Sequence, residues 1–375
     1  MRFIQILFTL ASWTTWRAFA FTTSHNAVIQ KTVTSRPTST SALNSAASDT
    51  AVVEPSVGSS TVMKNINTAS SLGKFKATLT KIGMLSYIAS MCIALPVTMA
   101  PPALLHKTRL IKKSQREHLS VRAGQFCARW LMRIIPFADV NVTPADQKTD
   151  DPSIWVCNHI SMMDIFFLMA TSKKLRGKKA RPIKIVYWKQ LEDNPVNKIF
   201  FRSCGFIPVD MEANKAGETN SYDKKGFKQF LKLCKQAFSE GFDIGILPEG
   251  QLNPTPENGL QPVFTGAYTL AKMSRRPIRM IALHGTQKLW HPKEEIGMTV
   301  TDRKVKVRAY PAGTPFENGD DFANTFTKII GHFGANGEDL PDSDLRELLY
   351  KTKDEDEERN RKELSPSELE FLQSL

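Results

Sequence analysis

Six short apolar runs set the strongest limit on what this chain can fold into. Residues 154–157, 183–188, 206–209, 244–247, 278–283 and 305–309 are each four to six residues long, which is strand length. Stretches with helical period lie between several of them, notably Phe227, Phe230, Leu231, Cys234 and Phe238. Their alternation with helices predicts an α/β fold with a mostly parallel central sheet flanked by helices. At 375 residues there is room for one large α/β unit with appendages or for two domains. One domain over 106–316 is expected, with its motifs in 153–288 and an acidic, partly helical tail over 317–375. The charge run at 354–363 reads as solvated and is given no function.

The charge is unevenly spread. Residues 317–375 hold 16 acidic against 7 basic residues, so the preceding 316 carry a net +22 of the overall +13. So basic a body expects an anionic partner: nucleic acid, an anionic membrane surface, or a phosphorylated or CoA-like substrate. Five cysteines, an odd number lying far apart without a CxxC pair, indicate neither a structural zinc site nor a disulfide framework and fit a reducing compartment.

The first 60 residues read as targeting sequence. A basic start, an apolar run over 3–11 and small residues at Ala18 and Ala20 describe a signal peptide over 1–20. Residues 21–48 lack acids and are rich in Ser, Thr and Ala, the composition of a transit peptide, so 21–60 reads as transit peptide or linker. Signal followed by transit, with Phe21 after the cleavage site, resembles the presequence of proteins imported into complex plastids. A plastid location, membrane-associated, is the expectation, with secretion as the rival.

Residues 82–105 carry no charge and at ~1.5 Å per residue could cross a ~30 Å hydrocarbon core. Pro96, Pro101 and Pro102 interrupt them, so a kinked span, a re-entrant hairpin, an interfacial helix and a buried core helix all remain open. Basic residues on both flanks favour contact with anionic headgroups. In the next stretch Phe126, Trp130 and Ile134 share a stripe beside Arg122, Arg129 and Arg133, an amphipathic helix for a surface or interface. Eight basic residues between 173 and 189 read either as a solvated loop or as a docking surface for a headgroup, CoA or an acyl carrier. No nucleic-acid motif accompanies them, and no nucleic-acid partner is expected.

His159 falls in the turn between the strand ending at Cys157 and a helical run, where open α/β sheets build their sites. The Ser161-x-x-Asp164 spacing is a capping-box pattern, with Ser161 as N-cap and Asp164 at the third helical position. That arrangement lets Asp164 turn towards the imidazole, or merely caps the helix beside a loop histidine. Further blocks follow in order: Gly205 opening a strand, Pro248-Glu249-Gly250 closing one, and Gly266 opening a helix.

At these residues, over about 130–290, the chain resembles the glycerolipid acyltransferase family. Asn158-His159 through Asp164 matches its NHxxxxD block in full. The resemblance implies an O-acyltransferase in which His159 is the general base and Asp164 orients it. The implied reaction moves an acyl chain from acyl-CoA or acyl-carrier protein to a membrane lipid acceptor, foremost 1-acyl-glycerol-3-phosphate. Asn158, Gly205, Glu249 and Gly250 carry over to substrate binding. No metal and no cofactor beyond the acyl donor is implied. Two departures stand out: Met211 replaces an arginine after the second block, and Gln251 and Leu252 replace Thr-Arg in the third. Both family arginines hold the acceptor phosphate. Arg202 or Lys198 is therefore the expected replacement, with Gln251 contributing a neutral hydrogen bond, and another lysophospholipid or a non-phosphate acceptor is the alternative. Cys157 as an acyl carrier, a metal held by His159, Asp164 and Glu249, and a non-catalytic basic coat protein are the remaining rivals.

Overall fold

The computed structural model describes residues 71–145, 151–177, 180–209, 224–293 and 302–350. The presequence, the second-block residues Asp210 and Met211, and the charge run at 354–363 lie outside the described residues. Two long helices, α1 (Ser71–Lys107) and α2 (Lys113–Ile134), lead into an α/β body. Its elements are β1 (Asp139–Thr143), β2 (Ile154–Cys157), α3 (Asp164–Arg176), β3 (Ile183–Trp188), α4 (Pro195–Cys204), β4 (Ile207–Val209), α5 (Lys224–Ser239), β5 (Asp243–Ile246), α6 (Gly266–Ser274), β6 (Ile278–His284), α7 (Thr286–Leu289), β7 (Lys304–Ala309), α8 (Gly319–Phe326), α9 (His332–Asn336) and α10 (Asp342–Leu349).

The strands form one sheet in the order β1-β7-β6-β2-β5-β3-β4. Every pairing is parallel except β6 with β7. β2, β3, β4, β5 and β6 therefore point their C-terminal ends at one edge, the arrangement in which ligands meet strand ends. Ile154, Trp155, Val156 and Cys157 are all buried, as a strand covered on both faces requires. Each such apolar side chain contributes about 1.5–3 kcal/mol by leaving water.

The six expected strands are present with ends displaced by no more than one residue. β1 was not anticipated. Its sequence DVNVT alternates half-buried and exposed positions at the sheet edge, so it lacks the continuous apolar run. The tail boundary at 317 also shifts: Phe322, Phe326, Ile329, Ile330 and Phe333 are buried in the common core, and residues up to Leu349 belong to the body.

α1 is one helix through all three prolines rather than a divided one. Their missing N–H groups leave the carbonyls of Cys92, Val97 and Thr98 without i→i−4 donors. Met84, Tyr87, Met91, Leu95 and Met99 bury one stripe of α1, whereas Phe75, Leu79, Ile82, Ile93, Val97 and Leu104 stay exposed. It is the one helix among the described residues long and apolar enough to cross a membrane, and 22% of its most apolar window is buried. The helix therefore packs one stripe against the core and leaves most of its apolar surface uncovered.

Candidate functional site

β2 ends where its next residue stops behaving as a strand. The Asn158 amide donates to the Leu283 carbonyl and accepts from the Leu283 N–H, both at 2.9 Å, so this side chain replaces one backbone rung between β2 and β6. The main chain is thereby released, and His159 follows on a turn. Glu249, on the loop after β5, accepts the His159 backbone N–H at 2.7 Å, and the Asn253 N–H donates to the His159 carbonyl at 2.8 Å. The loop after β5 thus holds the histidine's backbone at both its N–H and its carbonyl.

Asp164 is fully buried and saturated with donors. Its Oδ2 accepts from the backbone N–H groups of Ile160 and Ser161, each at 2.8 Å, and lies 3.0 Å from His159 Nδ1. Its Oδ1 accepts from Thr286 Oγ1 at 2.7 Å. Burying a carboxylate is costly unless hydrogen bonds replace water, and four donors do so here. With the carboxylate accepting, Nδ1 carries the ring hydrogen and Nε2 is left with its lone pair. The His159 side chain keeps 20% exposure, so this nitrogen belongs to a partly open site.

The capping pattern is realised in altered form. α3 begins at Asp164, with Met163 rather than Ser161 as N-cap, so Asp164 is the first helical residue and not the third. Ser161 Oγ accepts from the Met163 N–H at 3.2 Å and donates to the Trp290 carbonyl at 2.8 Å, which ties the turn to the segment after α7. The Asp164 side chain still reaches back to the Ser161 N–H, which is the half of the capping box that matters for the histidine.

Glu249, expected on the acceptor side, is 1% exposed. Beyond His159 its oxygens accept from the Gln261 N–H at 2.9 Å and Asn253 Nδ2 at 3.2 Å. Burial raises its pKa above the ordinary carboxylate value, opposed by the N–H groups of Gln261 and His159. Gly250, at φ +70°, lets the chain turn after it, and Gln251 is exposed at the same loop. Cys157 is buried with its thiol pushed well up by desolvation and then by the Asp164 and Glu249 carboxylates. A buried thiol whose thiolate form is disfavoured does not favour Cys157 as an acyl carrier.

Arg202 and Gly205 are not brought to His159. Successive pairings put Val156, Ile246, Val186 and Ile207 on one level, so Gly205 sits about five residues lower than His159 along the strand direction. With three strand spacings added, the separation is about 20 Å. Arg202, one turn earlier on α4, is 64% exposed and paired with Glu192 at 2.7 Å. Gly205 caps α4 at φ +64°, and a Cβ there would collide with the Glu117 carboxylate, so its role is in the frame. Arg202 as the replacement phosphate ligand is therefore corrected.

Thr286 was missed. It lies 122 residues from Asp164 and arrives only because β6 neighbours β2 and Gly285, at φ +87°, turns the chain back at the strand end. A Gly-Thr pair directly after an apolar strand was the available signal.

Residues 139–284 match the family model described as Acyltransferase. A chloroplastic 1-acyl-sn-glycerol-3-phosphate acyltransferase of Brassica napus is 23% identical over 42% of this chain and 40% of its own. Enzymes of the same name are 26% identical in Saccharomyces cerevisiae, over 48% of this chain and 54% of theirs, and 27% in Helicobacter pylori, over 41% and 58%. The chain thus spans about half the length of the curated relatives it matches. The crystal structure of a 1-acyl-sn-glycerophosphate acyltransferase from Thermotoga maritima superposes with a TM-score of 0.49 at 15% identity, covering 69% of this chain and 95% of that one.

Proposed function

From the premise that residues 139–284 belong to the acyltransferase family, we propose that the chain esterifies the free hydroxyl of a lysophospholipid, foremost 1-acyl-glycerol-3-phosphate, with the acyl group of acyl-CoA or acyl-carrier protein. The observation that carries this reading is the His159–Asp164 contact of 3.0 Å, with Asp164 immobilised by two backbone N–H groups and Thr286. His159 Nε2 removes the acceptor's hydroxyl proton as the oxygen attacks the thioester carbonyl. The C–S bond breaks, and the imidazolium returns the proton to the leaving thiolate. Asp164 keeps the ring in the required tautomer and stabilises the imidazolium. Asn158, Glu249 and Gly250 act by shaping the turn around His159.

An apolar cavity of about 50 Å³ lies beside Cys157 and is lined by Ile185, Phe200, Phe206, Ile246 and Leu247 among others, surroundings that favour a hydrocarbon chain. The exposed apolar face of α1 supports membrane association, and relatives with chloroplastic names support a plastid location. Gln251 and Leu252, standing where the family has Thr-Arg, favour a second reading in which the acceptor carries a larger headgroup.

The test is acyl transfer by the full chain in neutral detergent, with acyl-CoA and acyl-carrier protein each offered against a panel of lysolipids. Transfer to 1-acyl-glycerol-3-phosphate that vanishes in His159→Ala is the expected result. Turnover that survives the substitution rejects the mechanism, and absence of transfer to every acceptor rejects the function.

A further inference from the structure

The basic run over 173–189 does not act as one surface. Arg176 is committed to Asp243 at 2.6 Å, and Lys184 to Glu117 at 2.7 Å and Glu240 at 3.3 Å, all within the body. A second grouping joins basic residues that the sequence keeps apart. Arg122 and Arg129 of α2, Lys173 at the end of α3, and Arg181 ahead of β3 line one cleft of about 180 Å³, and no carboxylate lines it among the described residues. This space is large enough for several waters, room for a hydrated phosphate. Like charges gathered around one space repel one another, and an anion there relieves that repulsion.

The cleft is separate from the catalytic turn. Ser172, which lines it, lies eight residues along α3 from Asp164, about 12 Å at the helical rise. In a glycerol phosphate the phosphorus is four bonds from the reacting hydroxyl oxygen, about 5 Å at most at ~1.5 Å per bond. An acceptor reacting at His159 therefore cannot place its own phosphate in this cleft. Between the cleft and the apolar cavity, Gln125 Nε2 donates to Ser172 Oγ at 3.3 Å.

What adjoins the cleft identifies the source of the phosphate. On α2 at about 100° per residue, Arg122, Arg129 and Arg133 fall within about 40° of arc, and Leu119, Phe126, Trp130 and Ile134 occupy the next ~80°. These four apolar side chains are between 45% and 56% exposed. A water-soluble phosphate has no use for such a ridge, whereas a phospholipid bilayer buries it and presents phosphates beside it. We propose that the cleft between α2 and the C-terminal end of α3 binds the headgroup phosphate of an anionic membrane phospholipid. Arg122, Arg129 and Lys173 are its ligands, and the site is distinct from the acceptor's.

The proposal goes beyond the acyl-transfer reading, and its test needs no turnover. The full chain is cosedimented with phosphatidylcholine vesicles and with vesicles containing about one-third phosphatidylglycerol. The unmodified chain should prefer the anionic vesicles, and Arg122→Glu/Arg129→Glu should remove about tenfold or more of that preference, the scale for two basic residues at an anionic surface. Lys173→Glu, on a different helix, should act in the same direction by a smaller factor. Trp130→Ser should weaken binding to both vesicle types alike. Three results overturn the proposal. One is an equal loss in Lys232→Glu/Lys328→Glu, which alters exposed lysines elsewhere and would mean diffuse attraction. Another is displacement from the vesicles by millimolar inorganic phosphate, which would mean a soluble ligand. The third is unchanged vesicle binding with a raised acyl-donor KM for acyl-CoA or acyl-carrier protein in detergent, which would make the cleft a donor site.

Discussion

Two buried carboxylates stand at opposite ends of β2 and are held in opposite ways. Asp164, beyond its C-terminal end, is surrounded by neutral N–H and O–H donors and one imidazole. Asp243, beside its N-terminal end, accepts from the Ser153 N–H at 2.9 Å, Trp155 Nε1 at 3.1 Å and the Arg176 guanidinium at 2.6 Å. Arg176 in turn lies 5.1 Å from the Trp155 ring centroid. A guanidinium keeps its charge at any working pH, so the lower centre is a fixed lock. The imidazole beside Asp164 carries no fixed charge, and in the proposed reaction it is the group that takes up and returns a proton. In the proposed reaction the same kind of anion serves chemistry at one end of β2 and architecture at the other.

The contrast can be broken at either end. The largest effect is expected from Asp164→Asn and His159→Gln, which should lower kcat by about 10²–10⁴-fold, the usual worth of a positioned general base. Thermal unfolding of His159→Gln should stay close to that of the unmodified chain. Asp243→Ala should do the reverse. Arg176, whose side chain is 3% exposed, would be left as an uncompensated buried charge, costing about 3–5 kcal/mol. Urea unfolding should register that loss while kcat per folded molecule holds, and a parallel collapse of kcat would show that the two centres are coupled.

Thr286→Val sharpens the comparison by removing one neutral donor from Asp164 without changing shape. Stability should fall by about 1–3 kcal/mol, the cost of a buried acceptor left short. kcat should drop about tenfold, or ~1.4 kcal/mol, with Thr286→Ser restoring most of it. A loss that serine fails to rescue would assign Thr286 to packing alone.

The smallest effect concerns Glu249, whose pKa burial raises. The folded state then binds this proton more readily than the unfolded chain does, so its contribution to stability is greatest at low pH. That contribution declines as pH rises from the ordinary carboxylate value of about 4.3 through the raised one. The stability difference between the unmodified chain and Glu249→Gln, followed by urea unfolding from about pH 4 to 7, should shrink on that side and then level off. A difference that grows with pH would mean that the N–H groups of His159 and Gln261 outweigh burial.

These residues also show what a sequence can and cannot disclose. The three strands that carry the site, β2, β5 and β6, were readable because burial leaves short, mostly apolar runs, and His159 with Asp164 was readable because turn and helix start are local. β1 escaped because an edge strand needs no such run. The core-forming Phe322, Phe326, Ile329, Ile330 and Phe333 were hidden by averaging their segment with the acidic run behind it. Thr286 and the tether from Glu249 depend on strand order, and Gly205 and Arg202 were misplaced because their position in a motif says nothing about their level along the sheet.

That dependence on strand order has a kinetic consequence. β2 is flanked by β5 and β6, whose residues lie about 90 and 125 positions away in the chain, and no local segment contains all of His159, Asp164, Glu249 and Thr286. Parallel pairings at such separations form slowly, because the loops must close before the contacts repay the lost entropy. A slip of β6 by two residues would carry Thr286 about 6.6 Å from Asp164. Recovery of activity after dilution from denaturant should therefore lag behind recovery of helical signal, since competence arrives only with the final strand register.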